Sequence, residues 1–190
     1  MDTISGHISL GPGERLSVLS QDHFAFDEHT VLNTVMRGHS QLWDIIQKKD
    51  ALYAKPDFSE EDGNKAAALE EIFADMEGWN AESDAATLLS DLGIKEEFHY
   101  TLMKDMSGKN KVRVLLAQAL FGKPDNLLLD EPTANLDAEN TAKVESLIAE
   151  YLASNHAIAI WVSHNHAQLR RVSTDNHFDL SAGRLDRVTQ

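Results

Sequence analysis

Residues 127–131 read Leu-Leu-Leu-Asp-Glu, a run of three apolar residues that ends in two adjacent carboxylates. A short continuous apolar run is typical of a buried strand in a parallel sheet. Ligands of open α/β sheets bind at the carboxyl ends of such strands. Neighbouring carboxylates lose hydration and repel each other there, and a divalent cation would relieve that cost. The alternative, that the acids merely begin a loop, stays open on this stretch alone.

The two acids suit different tasks in a magnesium site. Asp130 can hold the metal through water, since Mg²⁺ prefers oxygen ligands and keeps several of its waters. Glu131 can orient and deprotonate an attacking water. The stretch therefore predicts metal-assisted hydrolysis at the end of this strand.

The sequence around this strand predicts an α/β unit. Amphipathic periodicity predicts a helix over about 138–152, and residues 157–162 form a second apolar run. Strand, helix and strand in this order are typical of a parallel sheet. Two short segments near the end, 176–180 and 184–188, are expected to pair as strands.

The middle of the chain predicts an acidic helical block. The protein carries 31 Asp and Glu residues against 17 Lys and Arg residues, for a net charge of −14. Residues 22–105 alone contain 19 acidic and 7 basic residues. Apolar spacing predicts helices over about 30–55, broken near Gly38, and over 59–78 and 80–92. Most of the negative charge therefore lies on solvated helix surfaces.

Composition excludes several classes of function. The net charge argues against non-specific nucleic-acid binding, which depends on neutralising phosphates with basic residues. The absence of cysteine excludes a disulfide scaffold, a cysteine zinc site and thiol catalysis. No apolar run approaches the ~20 residues of a membrane span, so direct membrane insertion is not expected. The first residues lack a signal-peptide pattern, which favours a cytoplasmic protein.

Further short motifs lie in order around the acid pair. Residues 18–22 read Val-Leu-Ser-Gln-Asp, residues 106–108 Met-Ser-Gly, residues 134–137 Ala-Asn-Leu-Asp and residues 160–164 Ile-Trp-Val-Ser-His. With the acid-ended strand they resemble the Q-loop, signature, D-loop, switch and Walker B motifs of the ATP-binding cassette (ABC) ATPases. Each motif is weak alone, and the match is carried by all five in the family's order.

The resemblance implies a P-loop NTPase-like α/β domain with an incomplete parallel sheet and an acidic helical subdomain. The expected division places a Q-loop segment at 1–27, the acidic subdomain at 28–105, and the signature, Walker B, D-loop and switch at 106–190. ATP and Mg²⁺ are the implied cofactors. A second ABC ATPase half, arranged head to tail, is the implied partner.

The resemblance also implies roles for the catalytic and metal-binding residues. Glu131 matches the catalytic glutamate, and Asp130 matches the Walker B aspartate that binds the metal. Gln21 matches the Q-loop glutamine, which touches the metal and the attacking water. His164 matches the switch histidine at the γ-phosphate. The alternatives for His164, an ordinary surface histidine or a metal site with His166, are weaker.

Gln21 and three further residues, Ser107, Gly108 and Asp137, are implied to bind the nucleotide cofactor. Ser107 and Gly108 match the signature, and a helix that begins there would offer N–H groups to a phosphate. In the family that phosphate belongs to ATP held by the opposite half. Asp137 matches the D-loop.

The acidic middle block resembles the arm of the ABC-F proteins. These proteins are soluble members of the ABC family, and several of them act on the ribosome. The residues after Asp130 look more like the ATPase subunits of ABC transporters. Both branches remain open from the sequence.

Two departures from the family pattern bear on activity. The Walker A motif G-x-x-x-x-G-K-[ST] does not occur in the sequence, and Lys109 and Asn110 replace a glycine and a glutamine of the signature. We therefore expect a module truncated before its P-loop and inactive alone, with weak ATP affinity and strands 127–129 and 158–162 partly uncovered. The alternative is a non-enzymatic interaction module that pairs with another ATPase half or the ribosome.

Overall fold

The computed structural model describes residues 9–19, 25–134, 136–173, 178–181 and 184–187. The chain falls into two compact units, Met1–Gln21 with Pro124–Gln190, and Asp22–Lys123. In chain order the main elements are β1 (Leu16–Leu19), α1 (Val31–Met36), α2 (Ser40–Tyr53), α3 (Glu60–Asp75), α4 (Ala81–Asp91), α5 (Gly108–Leu120), β2 (Asn126–Asp130), α6 (Ala138–Asn155), β3 (Ile158–Val162), α7 (His166–Val172), β4 (Phe178–Ser181) and β5 (Arg184–Arg187).

The first unit contains a three-stranded parallel sheet in the order β1-β2-β3. The central strand β2 is the leucine strand predicted from sequence, and α6 connects it to β3. Strands β4 and β5 form the expected antiparallel pair. Strand β1 was not predicted, because its four residues follow a glycine-rich turn and are too short to show a period.

The two faces of the sheet differ sharply in burial. On one face Leu19, Leu127 and Leu129 are buried. On the other face Ile158 and Ile160 are 66% and 63% exposed, and Leu16, Val18 and Val162 are also exposed. The expected exposure is therefore confirmed for β3 but is wrong for Leu127 and Leu129, because their side chains point to the buried face.

Helix α6 is fixed at both ends by polar contacts. Asp137 caps its start, where Oδ1 accepts a hydrogen bond from the Asn140 amide at 2.9 Å. Val144 and Ile148 are its buried residues, and near its end Tyr151 donates a hydrogen bond to the Pro124 carbonyl at 2.8 Å. Burial raises the pKa of Tyr151 to about 12, so this phenol stays neutral and able to donate at ordinary pH.

The second unit is helical, as predicted. Helices α2 and α3 form a hairpin, and Ser59 and Asp62 begin α3 with a reciprocal capping box. The Lys49–Glu70 ion pair at 2.7 Å connects the two helices. The expected helix over 30–55 is divided at Gly38, where an added Cβ would lie 1.9 Å from the Gln118 carbonyl oxygen.

Helix α5 lies in this second unit and forms much of its core. Its buried residues include Val114, Leu116 and Leu120, all less than 2% exposed. The division of the chain into 1–27, 28–105 and 106–190 stays a prediction. None of the helices in the described residues is both long and apolar enough to span a membrane.

Candidate functional site

The carboxyl end of β2 carries the two acids singled out in the sequence. Asp130 is the last residue of the strand, lies opposite Val162 in the register, and is half-buried. Its carboxylate has no hydrogen-bond or ion-pair partner among the described residues. An oxygen ligand of this kind, half-buried and unpaired, fits the donor chemistry that Mg²⁺ prefers.

Glu131 follows in a left-handed backbone conformation with φ of 48°. That conformation is uncommon for a residue with a side chain, and the surrounding structure must hold it in place. The Glu131 amide still donates to the Val162 carbonyl at 3.0 Å, so the residue continues the contact with β3. The turn redirects the chain directly after the strand.

The Glu131 carboxylate is held by the loop that follows β3. Its Oε1 accepts a hydrogen bond from the His164 backbone amide at 2.6 Å, and its Oε2 accepts one from the Ser163 hydroxyl at 3.0 Å. The structure therefore brings Glu131 and His164 together, through the backbone of His164. The His164 residue itself is exposed to solvent.

A buried glutamine extends this cluster and was missed from sequence. Gln168 of α7 is 1% exposed, and its Nε2 donates to Thr133 Oγ1 at 2.7 Å and to Glu145 Oε1 at 2.9 Å. Its Oε1 lies 3.1 Å from the Ser163 hydroxyl. Gln168 therefore contacts the loop after Glu131, helix α6 and the loop that carries His164.

Glu145 is the ionised end of this network. Burial alone raises the pKa of Glu145, but hydrogen bonds from Arg171 and Gln168 outweigh it and lower the pKa below its usual value. Arg171 approaches through both Nε and Nη2, at 3.3 and 2.8 Å. Glu145 is therefore a stable acceptor for the Gln168 amide at neutral pH.

The remaining predicted residues lie elsewhere or outside the described part. Asp137 acts in the structure as the cap of α6. Ser107 caps α5 in the second unit, where its Oγ accepts from the Asn110 amide at 3.3 Å. A Cβ added to the exposed Gly108 would meet no described atom within 4 Å, so packing among the described residues does not require glycine there. Gln21 lies outside the described residues.

The donor chemistry of one described carboxylate, that of Asp130, fits part of a magnesium shell. No group of three or more His, Cys, Asp or Glu among the described residues is placed to hold a metal. Magnesium in nucleotide sites commonly uses one or two protein carboxylates, with waters and substrate phosphates completing its shell. Asp130 meets that requirement, so the residues present fit the ion as one ligand of a shell completed by other groups.

Comparison with known proteins identifies the family. The sequence model described as ABC transporter matches residues 4–134, more than two thirds of the chain. The chain is 51% identical over 90% of its length to "Uncharacterized ABC transporter ATP-binding protein YkpA" of Bacillus subtilis. It is 46% identical over 95% of its length to "Probable ATP-binding protein YbiT" of Escherichia coli O157:H7. "ATP-binding cassette sub-family F member 3" of Homo sapiens is 31% identical over 87% of the chain.

Solved structures agree on the fold. A dimeric post-hydrolysis state of the ATP-binding cassette MJ0796, bound to ADP and Pi, matches 93% of this chain and 64% of that chain with a TM-score of 0.64 at 19% identity. A nucleotide-free ATP-binding cassette from an ABC transporter matches 90% and 58% with a TM-score of 0.58 at 16% identity. The chain therefore belongs to the ABC transporter family and has the fold of its ATP-binding domain.

The chain spans only part of its relatives. It covers 31% of the B. subtilis protein, 33% of the E. coli protein and 23% of the human protein. What those whole proteins do, and with which partners, therefore enters only as a proposal.

Proposed function

We propose that this chain is part of an ATP-hydrolysing module of the ABC-F kind, with Glu131 as general base and Asp130 as the metal-binding aspartate. The observation that carries the proposal is the Glu131 carboxylate, held at the end of β2 by Ser163 and the His164 amide. When bound, Mg²⁺ polarises the phosphoryl oxygens of ATP and stabilises developing negative charge.

Glu131 is suited to take a proton from water. A carboxylate has about four lone-pair sites, and the hydrogen bonds from Ser163 and His164 occupy two of them. The remaining sites can accept a hydrogen bond from an attacking water and then its proton. The two donors fix the direction in which the carboxylate faces, which is the main task of residues that position a general base.

His164 and the α5 terminus are each proposed to bind a γ-phosphate, in two different ATP sites. The exposed His164 can donate a hydrogen bond from its ring to a γ-phosphate oxygen. Ser107 and Gly108 begin a helix of 13 residues, whose N-terminal amides favour anions. The open space beside Gly108 would let a phosphate approach the backbone closely. In the head-to-tail arrangement the phosphate bound by Ser107 and Gly108 belongs to ATP held by the other ATPase half, whereas His164 acts on the ATP that Glu131 of the same chain would hydrolyse. Asp137 and Gln21 are proposed to contribute as the D-loop and Q-loop residues.

A P-loop from outside these 190 residues is proposed to complete the site. The Walker A pattern does not occur in the sequence, so the backbone cradle for the β-phosphate and the phosphate-binding lysine must come from another segment. A direct check is the coding sequence upstream of Met1, where we expect an in-frame glycine-rich P-loop. Calorimetric titration of the 190-residue chain with Mg-ATP should show no saturable binding at micromolar concentrations, and tight binding would contradict this part of the proposal.

The ABC-F branch is favoured over a transporter subunit by the relatives and by the acidic hairpin. The human relative bears the sub-family F name, and the α2–α3 hairpin is an ordered element of the second unit. We place the module in the cytoplasm with the ribosome as its partner. Sedimentation of the P-loop-containing protein with ribosomes in the presence of ATP tests this, and the Glu131→Gln variant should be retained more strongly. Failure of both proteins to sediment with ribosomes would favour the transporter branch.

The non-enzymatic alternative has one supporting observation, the missing Walker A motif. In that case the chain would pair with an ATPase half or a ribosomal partner without turning over nucleotide. Turnover by the P-loop-containing protein, lost on Glu131→Gln, separates the two functions.

A further inference from the structure

Among the described residues of the first unit Gln168 is the most completely buried polar one, and its side chain connects three separate segments. It is 1% exposed and reaches Thr133, Glu145 and Ser163 at 2.7, 2.9 and 3.1 Å. Its own backbone amide is capped by the Asn165 side chain at 3.1 Å. A buried amide that uses both ends of its side chain in this way holds its neighbours in one arrangement.

The contact between Gln168 and Ser163 bears directly on Glu131. The Ser163 hydroxyl has one proton and lies 3.0 Å from Glu131 Oε2 and 3.1 Å from Gln168 Oε1. It also accepts a hydrogen bond from the Asn165 amide at 3.2 Å. The single proton is therefore directed between two oxygen acceptors, which restricts the rotation of the hydroxyl.

The orientation of the Gln168 amide is fixed by its other partners. Its Nε2 lies 2.9 Å from the Glu145 carboxylate, which itself is paired with Arg171. Exchanging the amide oxygen and nitrogen would place the Gln168 oxygen against the Glu145 carboxylate oxygen. Both atoms are acceptors, so the exchange would leave a buried acceptor without a donor. The Gln168 oxygen is therefore held facing Ser163.

We propose that Gln168 is a positioning residue for Glu131. It acts through Ser163, which contacts the Glu131 carboxylate, and through Thr133, which lies two residues after Glu131 in the same loop. In this arrangement Glu145 and Arg171 hold Gln168, Gln168 holds the two loops, and the loops hold the carboxylate. The catalytic consequence rests on the proposed function, whereas the positioning of the carboxylate is a property of the chain itself.

The structural test uses the 190-residue chain without nucleotide. The His164 amide donates to Glu131 over 2.6 Å, and so short a bond should give a strongly downfield amide proton in NMR spectra. Gln168→Met should move that resonance upfield and accelerate its hydrogen exchange at least tenfold. Exchange in the α2–α3 hairpin should not change, because the hairpin belongs to the other unit. Arg170→Met is the matched control, since Arg170 is exposed on the same helix.

The kinetic test uses the P-loop-containing protein. Gln168→Met should lower kcat about tenfold with the KM for ATP unchanged, since misplacing a catalytic group costs rate rather than affinity. In a Glu131→Gln background the same substitution should cause no further loss, because the residue it positions is already inactive. Ser163→Ala should reproduce the loss if Gln168→Met does not fold.

The outcomes separate the inference from the proposed function. An unchanged His164 resonance and exchange rate in Gln168→Met would overturn the positioning role, even if Glu131→Gln abolishes turnover. Additive losses in the double variant would also overturn it. Turnover that survives Glu131→Gln would instead overturn the proposed function, while the NMR result would still decide whether Gln168 holds the carboxylate.

Discussion

Asp62 gives the clearest case of a single residue whose charge is set by its neighbours. Its carboxylate accepts hydrogen bonds from the Lys55 ammonium at 2.6 Å and from the Ser59 hydroxyl and amide at 2.8 and 3.1 Å. The Lys55 hydrogen bond, followed by those from Ser59, holds the pKa of Asp62 well below its ordinary value. The start of α3 therefore depends on the ionised carboxylate.

The sign of the resulting pH dependence follows from linkage. Because the pKa of Asp62 is depressed in the folded state, its contribution to stability is present above the unfolded value of about 3.9 and is lost as pH falls below it. We expect urea midpoints to fall more steeply with acidification in the wild type than in Asp62→Asn. Lys55→Met should lie between the two, and equal slopes in all three would contradict the assignment.

Among single residues, the sequence predicts a position best where the residue type and its place directly after a strand both indicate a site. Asp130 and Glu131 follow an apolar run directly, and the structure places them at the end of β2 as that pattern predicts. Gln168 could not be found in this way. Its importance depends on Glu145, 23 residues earlier in the chain, and on burial that only the packing of α7 creates.

At the scale of elements, two glycines with opposite surroundings provide a matched test of helix packing. An added Cβ at Gly38 would lie 1.9 Å from the Gln118 carbonyl oxygen, a backbone atom of α5. At Gly63, inside α3, the nearest atom to an added Cβ is 3.8 Å away. The first site lacks room for a methyl group, and the second has it.

Gly38→Ala is expected to destabilise the protein by about 1–3 kcal/mol, because overpacking forces α1 and α5 apart. Gly63→Ala should stabilise it by about 0.5–1 kcal/mol, since alanine is the better helix former. Urea unfolding of both variants checks the pair. A stability for Gly38→Ala equal to or above that of the wild type would contradict the close contact of the helices.

The two faces of the sheet should respond differently to truncation. Leu129 is fully buried, whereas Ile160, on the neighbouring strand and the opposite face, is 63% exposed. Leu129→Ala should cost about 2–5 kcal/mol, and Ile160→Ala less than about 1 kcal/mol. Denaturant unfolding in dilute solution measures both, and equal losses would show that the exposed face is packed.

Periodicity was enough to predict the longer elements. The helices of the second unit, α6 and the two strands β2 and β3 all carry runs or spacings that specify them locally. Strand β1 was missed because its four residues are too short to show a period, and its partner β2 lies more than a hundred residues later in the chain. Which leucines of β2 are buried depends on which face of the sheet is covered, and a continuous apolar run does not show that face.

At the scale of the whole molecule, two features define the proposed contribution of the chain: where its charge lies in the sequence and which nucleotide-binding motifs the 190 residues contain. The net charge of −14 arises mostly from residues 22–105, a part of the sequence that does not include the acid-ended strand. In the proposed function the strand would supply a metal ligand and a general base, and phosphate binding would fall to a Walker A segment that does not occur in this sequence. The 190 residues are therefore proposed to be one contributor to a composite nucleotide site.

A net charge of this size should also affect stability through self-repulsion. Salt screens exposed charges over a Debye length of about 8–10 Å near physiological ionic strength. We expect the urea midpoint to rise modestly when NaCl is increased from about 10 mM to about 150 mM, because repulsion destabilises the compact state. A midpoint that falls over this range would show that attractive ion pairs outweigh the net charge.

The most direct test of the account is ATP turnover by the P-loop-containing protein with Glu131→Gln. We expect kcat to fall about 10²–10⁴-fold, the range typical for loss of a general base, while Mg-ATP still binds. Glu139→Gln, an exposed acid at the start of α6, is the matched control and should turn over normally. Undiminished turnover in Glu131→Gln would contradict the assignment of this carboxylate as the base.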